Sequence, residues 1–249
     1  MKLYFNGCSF TYGDELANPQ KNSWPTIVST KLGFSFLNDA VSGGTNERTI
    51  YKTILNIGAY DYFFIAWTDY ARFTKYNPID NYEINFTPQL SLDPLLHISD
   101  DLKINYSKYK NYGELYYKHW FNELFEFKKW LQQIIMLQSV FKSSRKKYLM
   151  INTFHNHLSN WLSSQETFID AVKNLLDFFD YVNDIQLMQE CLQIQNLVAM
   201  IDTASFVDWN YWCIMDETQI HPIGKNGHIL EDGHQAVANK VINHYNKNL

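Results

Sequence analysis

Residues 2–13 read Lys2-Leu3-Tyr4-Phe5-Asn6-Gly7-Cys8-Ser9-Phe10-Thr11-Tyr12-Gly13. The first half, Lys2 to Asn6, has the length and apolar content of a short strand. It runs into a loop bounded by Gly7 and Gly13, which places Ser9 just past the strand end. A helical stretch follows over Trp24 to Leu32, then a second strand over Phe34 to Asn38 that leads into Val41-Ser42-Gly43-Gly44-Thr45. From Thr45 the spacing of Ile50, Ile54 and Leu55 suits a helix lying on a sheet, and Tyr60 to Trp67 reads as a buried third strand. Strands alternating with helices in this way predict a parallel sheet wrapped by helices.

Residues about 70–112 break the rhythm, being rich in Tyr, Asn, Asp and Pro without a sustained period, and read as an inserted excursion. The pattern then resumes. Leu115 to Phe141 carries Trp120, Leu124, Leu131 and Ile135 at the spacing of one long helix, and Tyr148 to Thr153 is a fourth strand. Helices are expected over Phe168 to Tyr181 and Ile185 to Gln195, a fifth strand over Leu197 to Ile201, and a last helix over Gln235 to Tyr245. No internal repeat or low-complexity linker divides the chain, so it reads as one domain, 1–249, with the insertion at about 70–112.

Composition narrows the function classes. With 46% hydrophobic and 19% charged residues and a mean hydropathy of -0.33, the 249-residue chain can bury a substantial core. No stretch approaches the run of about 18 uncharged apolar residues that a membrane span needs. The N-terminal residues lack the long apolar segment of a secretion signal, and a cytoplasmic location is expected. Cys8, Cys191 and Cys213 are odd in number and widely spaced, which gives neither a disulfide framework nor a zinc-ligand pattern. The net charge of -5 and the pI near 5.9 argue against a nucleic-acid surface, because neutralising phosphates needs clustered Lys and Arg. The tight basic cluster at Ser143 to Lys147 reads as a solvated loop.

In an open parallel sheet, reactive groups gather in the loops at the carboxyl ends of the strands, where helix N-termini also aim their N–H groups. After strand one, Ser9 is a candidate nucleophile. The loop lacks the Lys-Ser/Thr pair of a P-loop and the three-glycine spacing of a dinucleotide fingerprint, so no nucleotide signature is present. After strand two, Asn38 to Asn46 leads straight into a helix whose first N–H groups can face an oxyanion. A simple helix cap by Ser42 or Thr45 is the competing reading. After strand three, Thr68, Asp69 and Arg72 bring a hydroxyl, a carboxylate and a guanidinium toward the same edge. Near the C-terminus, Gly227-His228-Ile229-Leu230-Glu231-Asp232-Gly233-His234 offers an imidazole ahead of the last helix. From there it can accept a proton from a serine far away in sequence.

Together these four loops resemble the blocks of the SGNH hydrolases, the GDSL-type esterases and lipases. The resemblance implies a three-layer α/β/α sandwich with a parallel, flavodoxin-like five-stranded sheet. Gly7 to Gly13 is similar to the family's opening block except that Cys8 replaces Asp, which gives Ser9 the nucleophile role. Asn38 to Thr45 is similar to the second block and puts the oxyanion-donating glycine at Gly43. In the third block Ala66-Trp67-Thr68-Asp69 stands for Gly-x-Asn-Asp, so Thr68 replaces the family's asparagine, and Asn46 is a candidate to supply the amide. In the last block His228 takes the base position, Ile229 replaces Pro, and Lys225 stands where the supporting aspartate belongs. Asp216, Glu217 and Asp232 are substitutes that the sequence leaves unranked. His221 and His234 are rivals for the base.

The resemblance implies a serine ester hydrolase of esterase or deacetylase type that works through Ser9 and His228. Ser9, Gly43, Asn46 and Thr68 would form the oxyanion hole, Asp69 and Arg72 would bind substrate, and neither metal nor cofactor is called for. Two alternatives stay open: a non-catalytic binding or structural protein that keeps the fold, and an acyltransferase using the same serine. Tyr70, Phe73, Tyr76, Tyr82, Phe86, Tyr106, Tyr109, Tyr112, Tyr116 and Tyr117 make the excursion aromatic. They suit either an extra packed layer, with self-association as a homo-oligomer, or a cleft that stacks on the sugars of a glycan ester. The partner expected is thus a small-molecule or glycan ester, with no nucleic acid and no membrane.

Overall fold

The computed structural model describes residues 1–77, 82–86, 88, 112–154, 168–170, 172–173, 184–209 and 211–247. In chain order these form β1 (Lys2–Asn6), α1 (Ser9–Tyr12), α2 (Pro19–Asn22), α3 (Trp24–Leu32), β2 (Ser35–Asn38), α4 (Asn46–Leu55) and β3 (Tyr62–Trp67). Next come β4 (Phe73–Asn77), β5 (Tyr82–Phe86), α5 (112–119), α6 (Glu123–Ser143), β6 (Lys147–Asn152), α7 (Asp184–Met200) and α8 (Glu231–Lys247). Two short 3-10 segments, Thr203–Ser205 and Ile214–Gln219, lie between α7 and α8.

The main sheet is parallel in the order β2-β1-β3-β6, with Leu3 opposite both Phe36 and Tyr62, and Phe63 opposite Tyr148. Side chains alternate across it with the period of two that a strand imposes. Tyr4, Phe63, Ile65, Trp67 and Met150 face one core with Leu131, Ile134 and Phe141 of α6 and Ile194 of α7. Leu3, Phe5, Phe64, Ala66, Leu149 and Ile151 face the other, with Trp24 and Val28 of α3 and Val237 and Val241 of α8. The layers are therefore α/β/α. Every residue of β3 is buried, because it lies between two strands and under helices on both faces.

The sheet of the described residues has four strands where five were expected. Leu197 to Met200 continues α7, because Cys191, Ile194, Leu197, Val198 and Ile201 recur at helical spacing and pack on the core of α6. A short apolar run cannot by itself distinguish a strand from a buried helical turn. What remains of a fifth strand is a single parallel bridge between Phe206 and Met150, with the Val207 N–H donating to the Met150 carbonyl at 2.9 Å. The long helix expected over Leu115 to Phe141 is two. Asn122 interrupts it and caps α6 by accepting from the Phe125 N–H at 2.8 Å. The last helix starts at Glu231, earlier than expected, and so includes His234.

The excursion holds an antiparallel pair, β4 with β5. Phe73 and Phe86 stack at 4.6 Å, and Tyr116 approaches Phe73 at 4.1 Å, so these rings pack on one another as an added layer. Glu47 of α4 ties this layer down by accepting from the Thr74 N–H at 2.6 Å and pairing with Lys129 of α6 at 2.6 Å. Tyr106 and Tyr109 lie outside the described residues, as do residue 171 and residues 174–181 of the helix expected over Phe168 to Tyr181. Among the described residues, no helix is long and apolar enough to cross a membrane.

Candidate active site

Three of the four loops meet because glycines let their backbones touch. A Cβ on Gly7 would lie 3.0 Å from both the Cβ and the carbonyl oxygen of Ala66, at the end of β3. A Cβ on Gly44 would lie 2.6 Å from the Gly7 carbonyl oxygen and 3.2 Å from the Cys8 Cα. Only glycine fits there. Gly44→Ala is expected to lower stability by about 1–3 kcal/mol, because the obstacle is backbone that cannot swing aside. Gly58→Ala, with nothing within 4 Å of its added methyl, is expected to be near neutral. Urea midpoints at unchanged slope measure both.

Ser9 opens α1 and is 5% exposed, with Cys8 fully buried beneath it as a free thiol in the core of the α3/α8 face. The N–H groups of Thr11 and Tyr12 both reach the Cys8 carbonyl at 2.9 Å, which winds the turn tightly. Among the described residues the Ser9 N–H has no partner, as expected for the first turn of a helix. The same holds for the Gly43 N–H, whose residue has φ 65, whereas the Gly44 N–H is closed onto Val41 at 3.0 Å. Ser42 Oγ donates to Asp14, and Thr45 accepts from the Arg48 N–H at 3.2 Å as the cap of α4, so capping and free N–H groups coexist in this loop.

Asn46 does not aim an amide at the site. Its Nδ2 donates to the Thr68 carbonyl at 3.0 Å and its Oδ1 accepts from the Thr68 N–H at 2.9 Å, so the side chain braces the loop after β3. Thr68 Oγ1, by contrast, is buried without a partner among the described residues. Asp69 accepts from the Ala71 N–H at 2.8 Å, forming a local turn.

The fourth loop is closed by an antiparallel bridge between Ile223 and Ile229, and the Gly224 N–H reaches the His228 carbonyl at 2.8 Å. His228 is held against the first loop. Its ring lies 4.9 Å from that of Phe10, the residue after Ser9, and Phe10 in turn meets Phe154 edge-on at 5.8 Å.

The carboxylate that supports this histidine comes from Glu15. Its Oε2 lies 3.0 Å from His228 Nδ1 and accepts from the His228 N–H at 3.1 Å, while Oε1 accepts from the Asn226 N–H at 2.8 Å. Both side chains are largely buried, at 15% and 14% exposure. Burial pushes the Glu15 carboxyl up, but the two backbone N–H groups and the imidazole outweigh it, and the net displacement is downward. Glu15 reaches the loop from a left-handed backbone, φ 67, a conformation that costs a non-glycine residue about 1 kcal/mol or more. Gly224 makes room, since a Cβ there would fall 2.5 Å from Glu15 Cδ.

Two of the acidic residues near the last block have other partners. Asp216 accepts from the Cys213 N–H at 2.8 Å, Glu217 accepts from Trp212 Nε1 at 2.8 Å and lies 3.3 Å from His221, and Asp232 is exposed on the first turn of α8. His221 is thus engaged by Glu217. His234 is fully buried and accepts from the Trp24 N–H through Nδ1 at 3.2 Å. Sequence reasoning missed Glu15. The available signal was an acidic pair, Asp14-Glu15, directly after the glycine that ends the serine loop.

A parallel sheet in the order β2-β1-β3-β6 with a serine after its first strand, an N–H-rich second loop and a histidine before the last helix has the arrangement of the SGNH, or GDSL, hydrolase fold. One solved structure agrees in shape. Titled TesA, it superposes over 100% of both chains with a TM-score of 0.52 at 8% identity. A psychrotrophic esterase, EstA from Pseudoalteromonas sp., matches over 99% of this chain and 97% of its own, with a TM-score of 0.47 at 10% identity. The acetylxylan esterase Axe2 from Geobacillus stearothermophilus matches over 98% and 93%, with a TM-score of 0.43 at 14% identity. By sequence, the chain belongs to a family described as a family of unknown function (DUF6071), whose profile matches residues 15–167. No curated protein matches it.

Proposed function

We propose that the protein is a serine ester hydrolase in which Ser9 is the nucleophile, His228 the base and Glu15 the supporting acid. The observation that carries this reading is the 3.0 Å pair between Glu15 and His228 Nδ1, beside the Ser9 loop. With Nδ1–H donated to the carboxylate, Nε2 is the nitrogen left to accept a proton. Ser9 Oγ attacks the ester carbonyl and its proton passes to Nε2. The imidazolium, balanced by Glu15, returns the proton to the leaving alcohol, and water then releases the acyl group by the same route. The unpartnered N–H groups of Ser9 and Gly43 and the Thr68 hydroxyl are suited to the oxyanion.

A fluorophosphonate probe tests the nucleophile directly, because Ser9 Oγ must displace fluoride from phosphorus and form a stable adduct. Mass spectrometry of the peptide containing Ser9 should show the adduct in the native protein and none in His228→Ala. An unlabelled Ser9 in the folded protein would instead favour a binding protein that keeps the fold.

A further inference from the structure

The two partly or fully buried arginines beside the second loop differ in one respect. Arg48 is neutralised: Nη2 lies 3.5 Å from Asp39 Oδ1 and Nη1 donates to the Asp39 carbonyl at 2.8 Å. Arg72 has no such counter-charge among the described residues. Among the described residues no carboxylate lies within ion-pair distance of it, and its Nε is buried without a hydrogen-bond partner. Its Nη1 reaches the Gly44 carbonyl only at 3.5 Å, and its guanidinium lies over the Phe154 ring at 5.0 Å. A partly buried guanidinium with an unpaired N–H is costly unless something satisfies it, and the groups that satisfy it best are carboxylates and phosphates.

Its position ties it to the proposed reaction. Gly44 presses on Gly7 and Cys8, next to Ser9, and Phe154 leads through Phe10 to His228. The turn that carries Arg72 is fixed on both sides. The Ala71 N–H donates to Asp69 at 2.8 Å, Tyr117 Oη donates to the Ala71 carbonyl at 2.8 Å, and the Arg72 N–H reaches the Asp69 carbonyl at 3.3 Å. The backbone that carries the cation is thus held in place before any ligand arrives, which lowers the cost of binding. We propose that Arg72 is an anion subsite and that the ester cleaved at Ser9 carries a negatively charged oxygen group, a carboxylate or phosphate, on its acyl or alcohol part. This rests on the esterase reading above.

The test compares a 4-nitrophenyl hemisuccinate with the neutral 4-nitrophenyl butyrate, which has the same chain length, and an aryl acetate whose alcohol bears a phosphate. The native protein should prefer a charged ester over the neutral one by about 10- to 100-fold in kcat/KM, the usual worth of a charge-assisted pair. Which charged ester wins distinguishes a carboxylate on the acyl side from a phosphate on the alcohol side. Arg72→Gln should lower that ratio at least tenfold, and Arg72→Lys should restore part of it. A ratio that is the same in Arg72→Gln and the native protein overturns the subsite while leaving the esterase intact. Equilibrium binding of free succinate and inorganic phosphate separates the subsite from the chemistry. Binding that is lost in Arg72→Gln supports it even if no ester is turned over, and equal or absent binding in both proteins refutes it.

Discussion

Glu15→Gln is expected to lower kcat on an activated acetyl ester by about 10³-fold, with KM changed little. The estimate comes from neutralising the acid of a serine triad, where the loss reaches about 10⁴-fold. Glutamine keeps the shape but not the charge that balances an imidazolium. It also has one acceptor oxygen, whereas Glu15 offers two, one to the Asn226 N–H and one to His228. Whichever way the amide turns, one donor faces its NH₂ group. The split between kcat and KM separates support of the base from simple loss of loop structure, which would raise KM and lower the melting temperature together. Glu15→Asp keeps the charge on a shorter arm and should recover part of the rate. A kcat within a few-fold of the native value in folded Glu15→Gln would remove Glu15 from the mechanism.

The second large effect is on stability in acid. His234 is fully buried, and burial, with a smaller contribution from nearby His228, pushes its pKa down to about 3. The folded protein therefore holds this imidazole neutral where the unfolded chain protonates it at the ordinary value near 6.5. The stability so gained is complete above pH 6.5 and is lost as the pH falls from there toward 3. Between pH 7.5 and 4.5 the loss from this one group is about 2–3 kcal/mol, at about 1.4 kcal/mol per pKa unit. Glu15, whose folded pKa is also displaced downward, adds to the loss from about pH 4.5 downward. His234→Asn can present an oxygen to the Trp24 N–H without a titrating ring, so its stability should fall less steeply across this interval. Urea unfolding at pH 7.5 and 4.5 measures the difference; equal slopes in both proteins would contradict it.

Much of the architecture was legible because its causes are local. Helix α3 falls on Trp24–Leu32 as its pattern predicts, β3 is buried throughout as its unbroken apolar run implies, and the serine loop follows β1. The glycines of the first two loops could be recognised as markers of close backbone approach. Only the packed structure shows what they approach, each other and the end of β3. Where an apolar segment suits two structures, the neighbours chose. Leu197 and Val198 became helix because α6 offered a surface for that spacing, and the place of a fifth strand was left to Phe206.

The site divides along the same line. A residue's chemistry is written in its type, so Ser9, Gly43, Thr68, Arg72 and His228 stood out along the chain. Its partners are a matter of distance in space. Asn46 proved to be a brace for Thr68, Arg72 proved to lack a counter-charge among the described residues, and the carboxylate beside His228 came from a residue 213 positions earlier. That pairing needs a left-handed backbone at Glu15 and a missing side chain at Gly224 at once. Neither condition leaves a pattern in the neighbouring sequence; both exist only after the sheet and its helices bring the two ends of the chain together.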